Sequence, residues 1–257
     1  MRLRLPHAFV TAPLAHRGYH DRARGCIENS ASAFRAAISA GYGIELDVQL
    51  SRDGQAMVFH DETLDRLTAE SGLVNAHSTA DLGRIRLNGS TDTISTLAQV
   101  LNLVAGHAPV LIEIKDQTGA MRATDGRLEQ ATAAALVGYH GPVAVMSFNP
   151  HCIAEMARLA PQVPRGLTTS SYDATEWQPL SAATCDRLRA IPDYDATLCS
   201  FISHQASDLA RPRVAELKSH GASILCWTIR NPDQESQARQ LADNITFESY
   251  SAPLSSV

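Results

Sequence analysis

The chain has 257 residues, of which 44% are hydrophobic and 19% are charged, and this composition excludes a long disordered segment. A formal net charge of -5 excludes a basic surface for nucleic acid or for an anionic membrane, so an anionic ligand would need a local cationic site. The length suits one large α/β domain or two small ones, and we expect a single domain over residues 1–257.

The cysteines and the N-terminus bear on the compartment. Five cysteines are spread along the chain without a C-x-x-C pattern, which argues against a disulfide framework or a structural zinc site and favours a reducing compartment. The N-terminus lacks the apolar run of a secretory signal, and no later window approaches the length of a membrane span. We therefore expect a cytoplasmic protein with a small-molecule ligand and no membrane or nucleic-acid partner. The sequence leaves the oligomeric state open.

The pattern at the start of the chain predicts a strand, a loop and a helix. Residues 12–15 are apolar and end at His16 and Arg17, which places two polar groups at the C-terminal end of a buried strand. Asn29 or Ser30 then caps a helix with an apolar stripe, and helix capping is the role that we expect for both residues.

The next segment carries acids on a strand. Residues 43–50 predict a strand, and because side chains alternate between its faces, Glu45 and Asp47 share one face and repel each other. A tight turn then leads into the apolar run 56–59, which delivers His60. A divalent-cation site or a solvent-exposed strand face would explain the two acids equally well if they stood alone.

A second strand repeats this arrangement after an irregular segment. Residues 62–92 show little periodicity and predict an excursion of irregular structure after the second strand, here called the insertion. Thr96 begins a capping-box pattern and hence a helix. The following strand, 109–115, places Glu113 and Lys115 on one face near its C-terminal end.

Strands and helices continue to alternate through the rest of the chain. Further helices are predicted over 126–139, 150–160, 207–220 and 232–241, and further strands over 142–147, 163–168, 197–202, 223–229 and 244–247. Residues 169–196 give no clear pattern. About eight strands separated by helices favour a closed (β/α)8 TIM barrel, in the α/β class, over an open doubly wound sheet.

Charged residues at several strand ends would meet at one mouth of such a barrel. Glu45, Asp47 and Glu113 offer the hard oxygen ligands that suit Mg²⁺ or Ca²⁺, and the sequence does not choose between these ions. The clustering of these acids at strand ends argues against unrelated surface charges.

The remaining polar residues at strand ends are typical of phosphoryl chemistry. Arg17 offers a planar fork for a phosphate and Lys115 a point charge beside it. His16 and His60 could divide the proton transfers to the attacking and leaving oxygens. Trp227, at a later strand end, is either an apolar wall for the substrate or barrel packing.

Short motifs follow one another along the chain in an ordered set. They are His16-Arg17-Gly18, Glu28-Asn29-Ser30, Glu45-Leu46-Asp47-Val48-Gln49, Phe59-His60-Asp61, Thr63-Leu64-x-Arg66-x-Thr68, Ile94-Ser95-Thr96-Leu97, Glu113-Ile114-Lys115 and Trp227-Thr228. Together they resemble the glycerophosphodiester phosphodiesterase family, densely up to residue 115 and sparsely from there to Trp227. Two features depart from the family pattern: Ser30 stands for its usual threonine, and Ile245-Thr246-Phe247-Glu248 for a closing Ile-Thr-Asp-x-Pro-like segment.

The resemblance implies a fold, a reaction and a site. It implies a (β/α)8 barrel with the insertion as a cap beside the mouth, and hydrolysis of glycerophosphodiesters to an alcohol and glycerol 3-phosphate. It implies one divalent cation held at Glu45, Asp47 and Glu113, acid/base chemistry at His16 and His60, and phosphate contacts from Arg17 and Lys115. We take His16 as the base, because it adjoins Arg17, and His60 as the acid, with Asp61 orienting His60.

Other functions remain open at the level of sequence. A related phospholipase D or lyase on the same barrel would act on a lysolipid or sphingolipid and release a cyclic phosphate, although no exposed amphipathic helix or aromatic belt is evident. A non-catalytic barrel that binds a phosphodiester is a second alternative. A zinc hydrolase is disfavoured, because the sequence has no H-x-H or H-E-x-x-H pattern.

Overall fold

The computed structural model describes residues 2–254 and contains a closed β-barrel. The strands of its sheet are β1 Leu14–Ala15, β2 Gly43–Leu50, β3 Ala56–Val58, β4 Val110–Ile114, β5 Val143–Ser147, β6 Arg165–Thr169, β7 Phe201–Gln205, β8 Ser223–Ile229 and β9 Asn244–Phe247. Strand β1 pairs in parallel with both β2 and β9, which closes the barrel, and only β3 of the described strands runs antiparallel. The predicted TIM barrel is confirmed.

Helices connect the strands and surround the barrel. They are α1 Ala8–Thr11, α2 Ala31–Ser39, α3 Thr79–Leu82, α4 Leu97–Val104, α5 Arg127–Ala135, α6 Pro150–Leu159, α7 Ala182–Arg189, α8 Asp193–Ala196, α9 Pro212–Ser219 and α10 Pro232–Ala238, with 3₁₀ turns at Arg22–Arg24, Val74–Ala76 and Ala206–Asp208. Across the described chain, every helix is too short or too polar to cross a membrane.

Side-chain hydrogen bonds set the starts of the helices beside the site. The Ser30 hydroxyl accepts from the Ala33 amide and begins α2, so Ser30 has the predicted capping role. At α4, Thr96 and Gln99 satisfy each other's backbone amides in the predicted capping box. These caps fix where the chain turns from each loop into its helix.

The outward and inward faces of the strands pack against different apolar clusters. Ile44, Leu46 and Val48 on β2 pack outward against the helices in the main hydrophobic core. The lower interior of the barrel is filled by a separate apolar cluster that includes Phe201 from β7 and Phe9 from α1. Helix α1, which the sequence pattern did not predict, contributes Phe9 to this interior cluster.

Glycine is required where Phe201 fills the barrel. A Cβ atom on Gly166 of β6 would lie 2.4 Å from the Phe201 ring, closer than packed atoms can approach. The ring therefore occupies the space that a side chain on β6 would need.

The insertion over 62–92 is more ordered than its sequence suggested. It contains helix α3 and a 3₁₀ turn, and its apolar residues form a cluster of their own against β3. Leu64, Leu82 and Leu87 are among the buried members, and Phe59 joins them from the barrel side. The insertion thus packs firmly beside His60.

Several predicted boundaries are wrong. The strand predicted over 197–202 begins only at Phe201, because residues 193–197 close a helical turn in which the Thr197 hydroxyl donates to the Asp193 carbonyl. The helix predicted over 207–220 begins at Pro212, whose fixed backbone angle suits the first turn. The unreadable stretch 169–196 contains the end of β6 followed by α7 and α8.

Candidate active site

Three acids meet at the inner face of two neighbouring strands. Strands β2 and β4 are parallel and in register, with Asp47 opposite Glu113. Carboxylate oxygens of Glu45, Asp47 and Glu113 lie within 4.8 Å of one another, and all three residues are buried. Burial and the charges of Asp47 and Glu113 raise the pKa of Glu45 well above its ordinary value. This crowding of acids is costly without a cation among them.

Lys115 supplies part of that compensation. Its ammonium donates to Asp47 Oδ1 at 2.7 Å and also to Glu113. Burial alone would lower the pKa of Lys115, but the charges of Asp47 and Glu113 raise it above its ordinary value. Burial likewise opposes ionisation of Asp47, yet the nearby positive charge of Lys115, followed by His60 and Arg17, holds the pKa of Asp47 far below its usual range.

Asn29 holds Asp47 in place and does not cap the helix, which corrects the predicted role. Its side-chain amide donates to Asp47 Oδ2 at 2.9 Å, and its carbonyl oxygen accepts from the Asp47 amide at 3.3 Å. Asn29 adopts a left-handed backbone conformation with φ 56°, which asparagine tolerates better than most residues. The side chain of Asn29 therefore orients Asp47 on β2.

The Arg17 guanidinium is oriented by the loop after β1. Its Nη1 donates to Glu28 Oε1 at 2.6 Å, and its backbone amide donates to Glu45 Oε2 at 3.0 Å. The Nε atom is buried 3.6 Å from Asp47 Oδ2 and has no hydrogen-bond partner within residues 2–254. Arg17 thus keeps a buried N–H donor available beside the three acids.

His16 is paired with an acid that the sequence did not mark as a site residue. Its Nδ1 lies 2.5 Å from Glu248 Oε2, at the end of β9. Burial lowers the pKa of His16, and the hydrogen bond and charge of Glu248 partly offset that fall. The same hydrogen bond lowers the pKa of Glu248 to about 2. An Nδ1–H that donates to Glu248 leaves Nε2 of a neutral imidazole as a proton acceptor.

His60, which follows β3, has a matching arrangement. Its Nδ1 lies 2.6 Å from Asp61 Oδ1, the orientation expected from the sequence. Arg66 of the insertion binds Asp61 through Nε at 2.6 Å and also binds Glu28, the partner of Arg17. The His60 side chain is 31% exposed against 14% for His16, so His60 is the histidine nearer to solvent.

All of the residues predicted for the site line a single cavity of about 170 Å³. They are His16, Arg17, Glu45, Asp47, His60, Glu113, Lys115 and Trp227. The Trp227 ring lines this cavity, and its indole N–H donates to the Ser203 carbonyl at 3.0 Å.

Other residues of this cavity were not found from the sequence. Phe148 packs edge-to-face on Trp227, with ring centroids 5.5 Å apart. The hydroxyls of Thr168 and Thr246 are buried at the cavity and lack hydrogen-bond partners in the described part of the chain. Glu28, Asn29 and the 245–248 segment were visible as motif positions, whereas Phe148 and Thr168 carried no sequence signal.

Comparison with known families places the chain. A model of the glycerophosphoryl diester phosphodiesterase family matches residues 16–245. The chain belongs to this family. A glycerophosphodiester phosphodiesterase of Caldanaerobacter subterraneus subsp. tengcongensis is 28% identical over 243 residues, which cover 91% of this chain and 93% of that protein. One from Bacillus altitudinis is 38% identical over 113 residues, or 41% of this chain and 45% of the relative.

Solved structures of the family share the fold. A phosphodiesterase of Oleispira antarctica, solved with the product sn-glycerol-3-phosphate, has a TM-score of 0.76 at 24% identity and covers 95% of both chains. A glycerophosphodiester phosphodiesterase of Agrobacterium tumefaciens has a TM-score of 0.69 at 23% identity, with 92% of this chain and 96% of that chain covered. The protein is accordingly an enzyme of a phosphodiester hydrolase family with a TIM-barrel fold.

Proposed function

We propose that the enzyme hydrolyses glycerophosphodiesters to an alcohol and glycerol 3-phosphate, with one divalent cation, Mg²⁺ or Ca²⁺. The observation that carries this proposal is the single cavity in which a buried acidic cluster, the cationic side chains of Arg17 and Lys115, and two histidines with carboxylate partners meet. Family membership supports the reaction class, and the Oleispira antarctica enzyme carries the same product in its structure.

The acidic cluster fits a hard divalent cation. Glu45, Asp47 and Glu113 offer only oxygen donors, and the raised pKa of Glu45 from burial and its neighbours reflects negative charge that a cation would neutralise. When bound, such an ion would stabilise negative charge on the phosphate oxygens. The donor set does not distinguish Mg²⁺ from Ca²⁺.

Arg17 and Lys115 hold the phosphate in this proposal. The unpartnered Nε–H of Arg17 points to the side of Asp47, where a phosphate oxygen can accept it. Lys115 lies across the same acids as a second donor. Fixed donors aimed at the developing charge lower the barrier, because they need no reorganisation during the reaction.

The histidines divide the proton transfers. His16 is buried, has a lowered pKa because of that burial, and presents Nε2 as an acceptor, so it suits the general base that deprotonates the attacking water. His60 lies at the solvent-facing side of the acids and suits the general acid that protonates the departing alcohol. Water oxygen bonds to phosphorus, the phosphorus–alcohol bond breaks, and the proton from His60 completes the alcohol.

A metal add-back screen tests the proposal. Purified enzyme is chelated and then assayed on a panel of glycerophosphodiesters with Mg²⁺, Ca²⁺ or Mn²⁺, and ³¹P NMR identifies the product. We expect activity only with an added ion, and an open phosphomonoester as product. A cyclic phosphate would indicate the lyase-type alternative on lysolipids, and full activity in the chelated sample would contradict the metal site.

Variants of the acids complete that test. Glu45→Ala, Asp47→Ala and Glu113→Ala should each abolish activity while circular dichroism shows a folded barrel. Glu155→Ala is the matched control, because this half-buried acid on α6 lies outside the cavity and pairs with the neighbouring Arg158. Loss of activity in the control as well would point to a general effect of removing surface charge.

We also propose that the protein is located in the cytoplasm and that its partner is a small-molecule substrate. The five cysteines are free thiols, and four of them are buried, which suits a reducing compartment. Fractionation of the native cells would test the location.

A further inference from the structure

A second cavity adjoins the catalytic one. This cavity, the outer groove, has a volume of about 530 Å³ and shares His60, Glu113, Lys115 and Phe148 with the catalytic cavity. The two cavities therefore meet at the proposed acid, one acidic ligand and one phosphate donor. A substrate held at the acids can extend directly into the outer groove.

One wall of the outer groove is aromatic and continuous with the catalytic cavity. Phe148 packs on Trp227 inside, with centroids 5.5 Å apart, and on Trp177 outside, at 5.0 Å. Trp177 in turn packs on the buried Tyr172 at 4.7 Å, and its indole N–H donates to Ser170. Met121 and Leu180 extend the apolar lining. Packing on Tyr172 and the Ser170 bond hold this wall in position.

Most acids of the outer groove are committed to other partners. Asp61 binds His60 and Arg66, and Asp116 accepts from the backbone amide of Met121 at 2.9 Å and the side-chain amide of Asn149 at 2.9 Å. Glu62 lies exposed on the rim. The wall thus offers apolar contact area, while most of its negative charge is already paired, which favours a neutral ligand over an organic cation.

The catalytic cavity suits the glycerol phosphate half of the substrate. It has only about 170 Å³, and the buried hydroxyls of Thr168 and Thr246 face it without partners in residues 2–254. Such groups match the hydroxyls of a polar glycerol phosphate. In the proposed mechanism the alcohol departs beside His60, which also lines the outer groove.

A third cavity is a weaker candidate for the alcohol. It has about 520 Å³ and lies beyond Trp227, sharing Trp227, Thr228 and Arg230 with the catalytic cavity. It contains neither His60 nor Lys115, so an alcohol placed there would lie away from the proposed acid.

We infer that the outer groove binds the leaving alcohol of the substrate and selects alcohols that carry a neutral apolar group, such as an alkyl chain of several carbons or an aryl group. This inference rests on the proposed function and names its substrate class. The aromatic wall from Phe148 to Trp177 provides the contact, and His60 at the junction protonates the alcohol as it departs.

A homologous series of substrates tests the inference. Methyl, butyl and hexyl esters of glycerol 3-phosphate differ in chain length but have similarly basic leaving groups. A fully buried methylene changes an equilibrium about fourfold, and about twofold is expected in an open groove, so kcat/KM should rise about 30-fold from methyl to hexyl. A flat series would overturn the inference yet leave the proposed function intact, whereas no hydrolysis of any ester would overturn both.

Charge is tested with a matched pair of alcohols. The choline ester and the 3,3-dimethylbutyl ester of glycerol 3-phosphate have the same shape and differ in one positive charge. We expect the neutral ester to be hydrolysed several-fold faster in kcat/KM. A preference of tenfold or more for choline would overturn the inference and identify the outer groove as a cation site.

Variants locate the effect. Trp177→Ala should lower the hexyl-to-methyl ratio of kcat/KM about tenfold, and Trp177→Phe should retain most of it. Leu180→Ala, which leaves the aromatic wall in place, should lower the ratio to a smaller extent and keeps the test valid if Trp177→Ala misfolds. Leu241→Ala is the control, because Leu241 is 43% exposed and lines the third cavity. A loss of the ratio in Leu241→Ala alone would overturn the inference in favour of that cavity.

Discussion

Replacing Glu248 by glutamine should impair His16 without displacing it. The pair is joined at 2.5 Å, and the hydrogen bond to His16, followed by the charges of His16, Arg230 and His20, lowers the pKa of Glu248 from 4.5 to about 2. That difference corresponds to about 3 kcal/mol in favour of the ionised carboxylate, and His16 accounts for the largest part. If about half to nearly all of this stabilises the protonated imidazole during the reaction, kcat/KM falls about 10- to 100-fold in Glu248→Gln.

The pKa of His16 determines the direction in which the pH profile of kcat/KM should shift in Glu248→Gln. Burial lowers the pKa of His16, and Glu248 opposes that fall, so removal of the carboxylate charge lowers the pKa of His16 further. A general base works in its neutral form, and activity is lost as the pH falls through its pKa. The acid limb of kcat/KM against pH should therefore move to lower pH in Glu248→Gln, although the maximum is reduced.

The assay is a pH profile of wild type, Glu248→Gln and Glu248→Asp on one glycerophosphodiester with saturating metal ion. Glu248→Asp is the matched control, since it keeps the charge and shortens the side chain by one methylene, so its acid limb should move less. An acid limb that stays in place or moves to higher pH in Glu248→Gln would refute the electrostatic role of Glu248.

Three further predictions concern the phosphate, the leaving group and the core. Arg17→Lys should lower kcat/KM at least about tenfold, or 1.4 kcal/mol, because a point charge replaces a planar fork, and wild-type kinetics would leave Arg17 a purely structural role. His60→Ala should lose about 10²- to 10⁴-fold on a glycerophosphodiester and far less on a nitrophenyl phosphodiester, which leaves without a proton, whereas His16→Ala is impaired on both; rescue of His16→Ala instead would exchange the two roles. Gly166→Ala should reduce the free energy of unfolding by about 1–3 kcal/mol in urea titrations, since its Cβ would meet the Phe201 ring at 2.4 Å and the Phe201 carbonyl oxygen at 2.6 Å; an unchanged midpoint would mean that ring and backbone shift without cost.

The fold was accessible from the sequence wherever local rules decide it. Alternation along β2 put Glu45 and Asp47 on one face, and the capping box at Thr96 placed the start of α4. The rules failed where a segment is short or where a turn breaks the periodicity. Helix α1 has four residues, and the helical turn over residues 193–197 takes up the first residue of the strand predicted over 197–202.

The site was predictable as a set of strand ends but not as a set of pairs. His16 and Glu248 are 232 positions apart, and only the closure of the barrel between β1 and β9 brings them together. The bond from Arg66 to Glu28 depends on how the insertion folds back, which periodicity does not encode. Trp177 lies in a stretch without a pattern, so its packing on Phe148 had no signal at all.

The hydrogen bonds of Arg66 make the activity of the enzyme depend on the stability of the insertion. Arg66 belongs to the insertion, whose apolar cluster is separate from the main core, and it binds both Asp61 and Glu28. Local opening of the insertion would release the partners of His60 and Arg17 while the barrel stays folded. Catalysis should therefore disappear at a lower denaturant concentration than the far-ultraviolet circular dichroism signal, and activity would report the stability of the insertion, while circular dichroism reports that of the barrel.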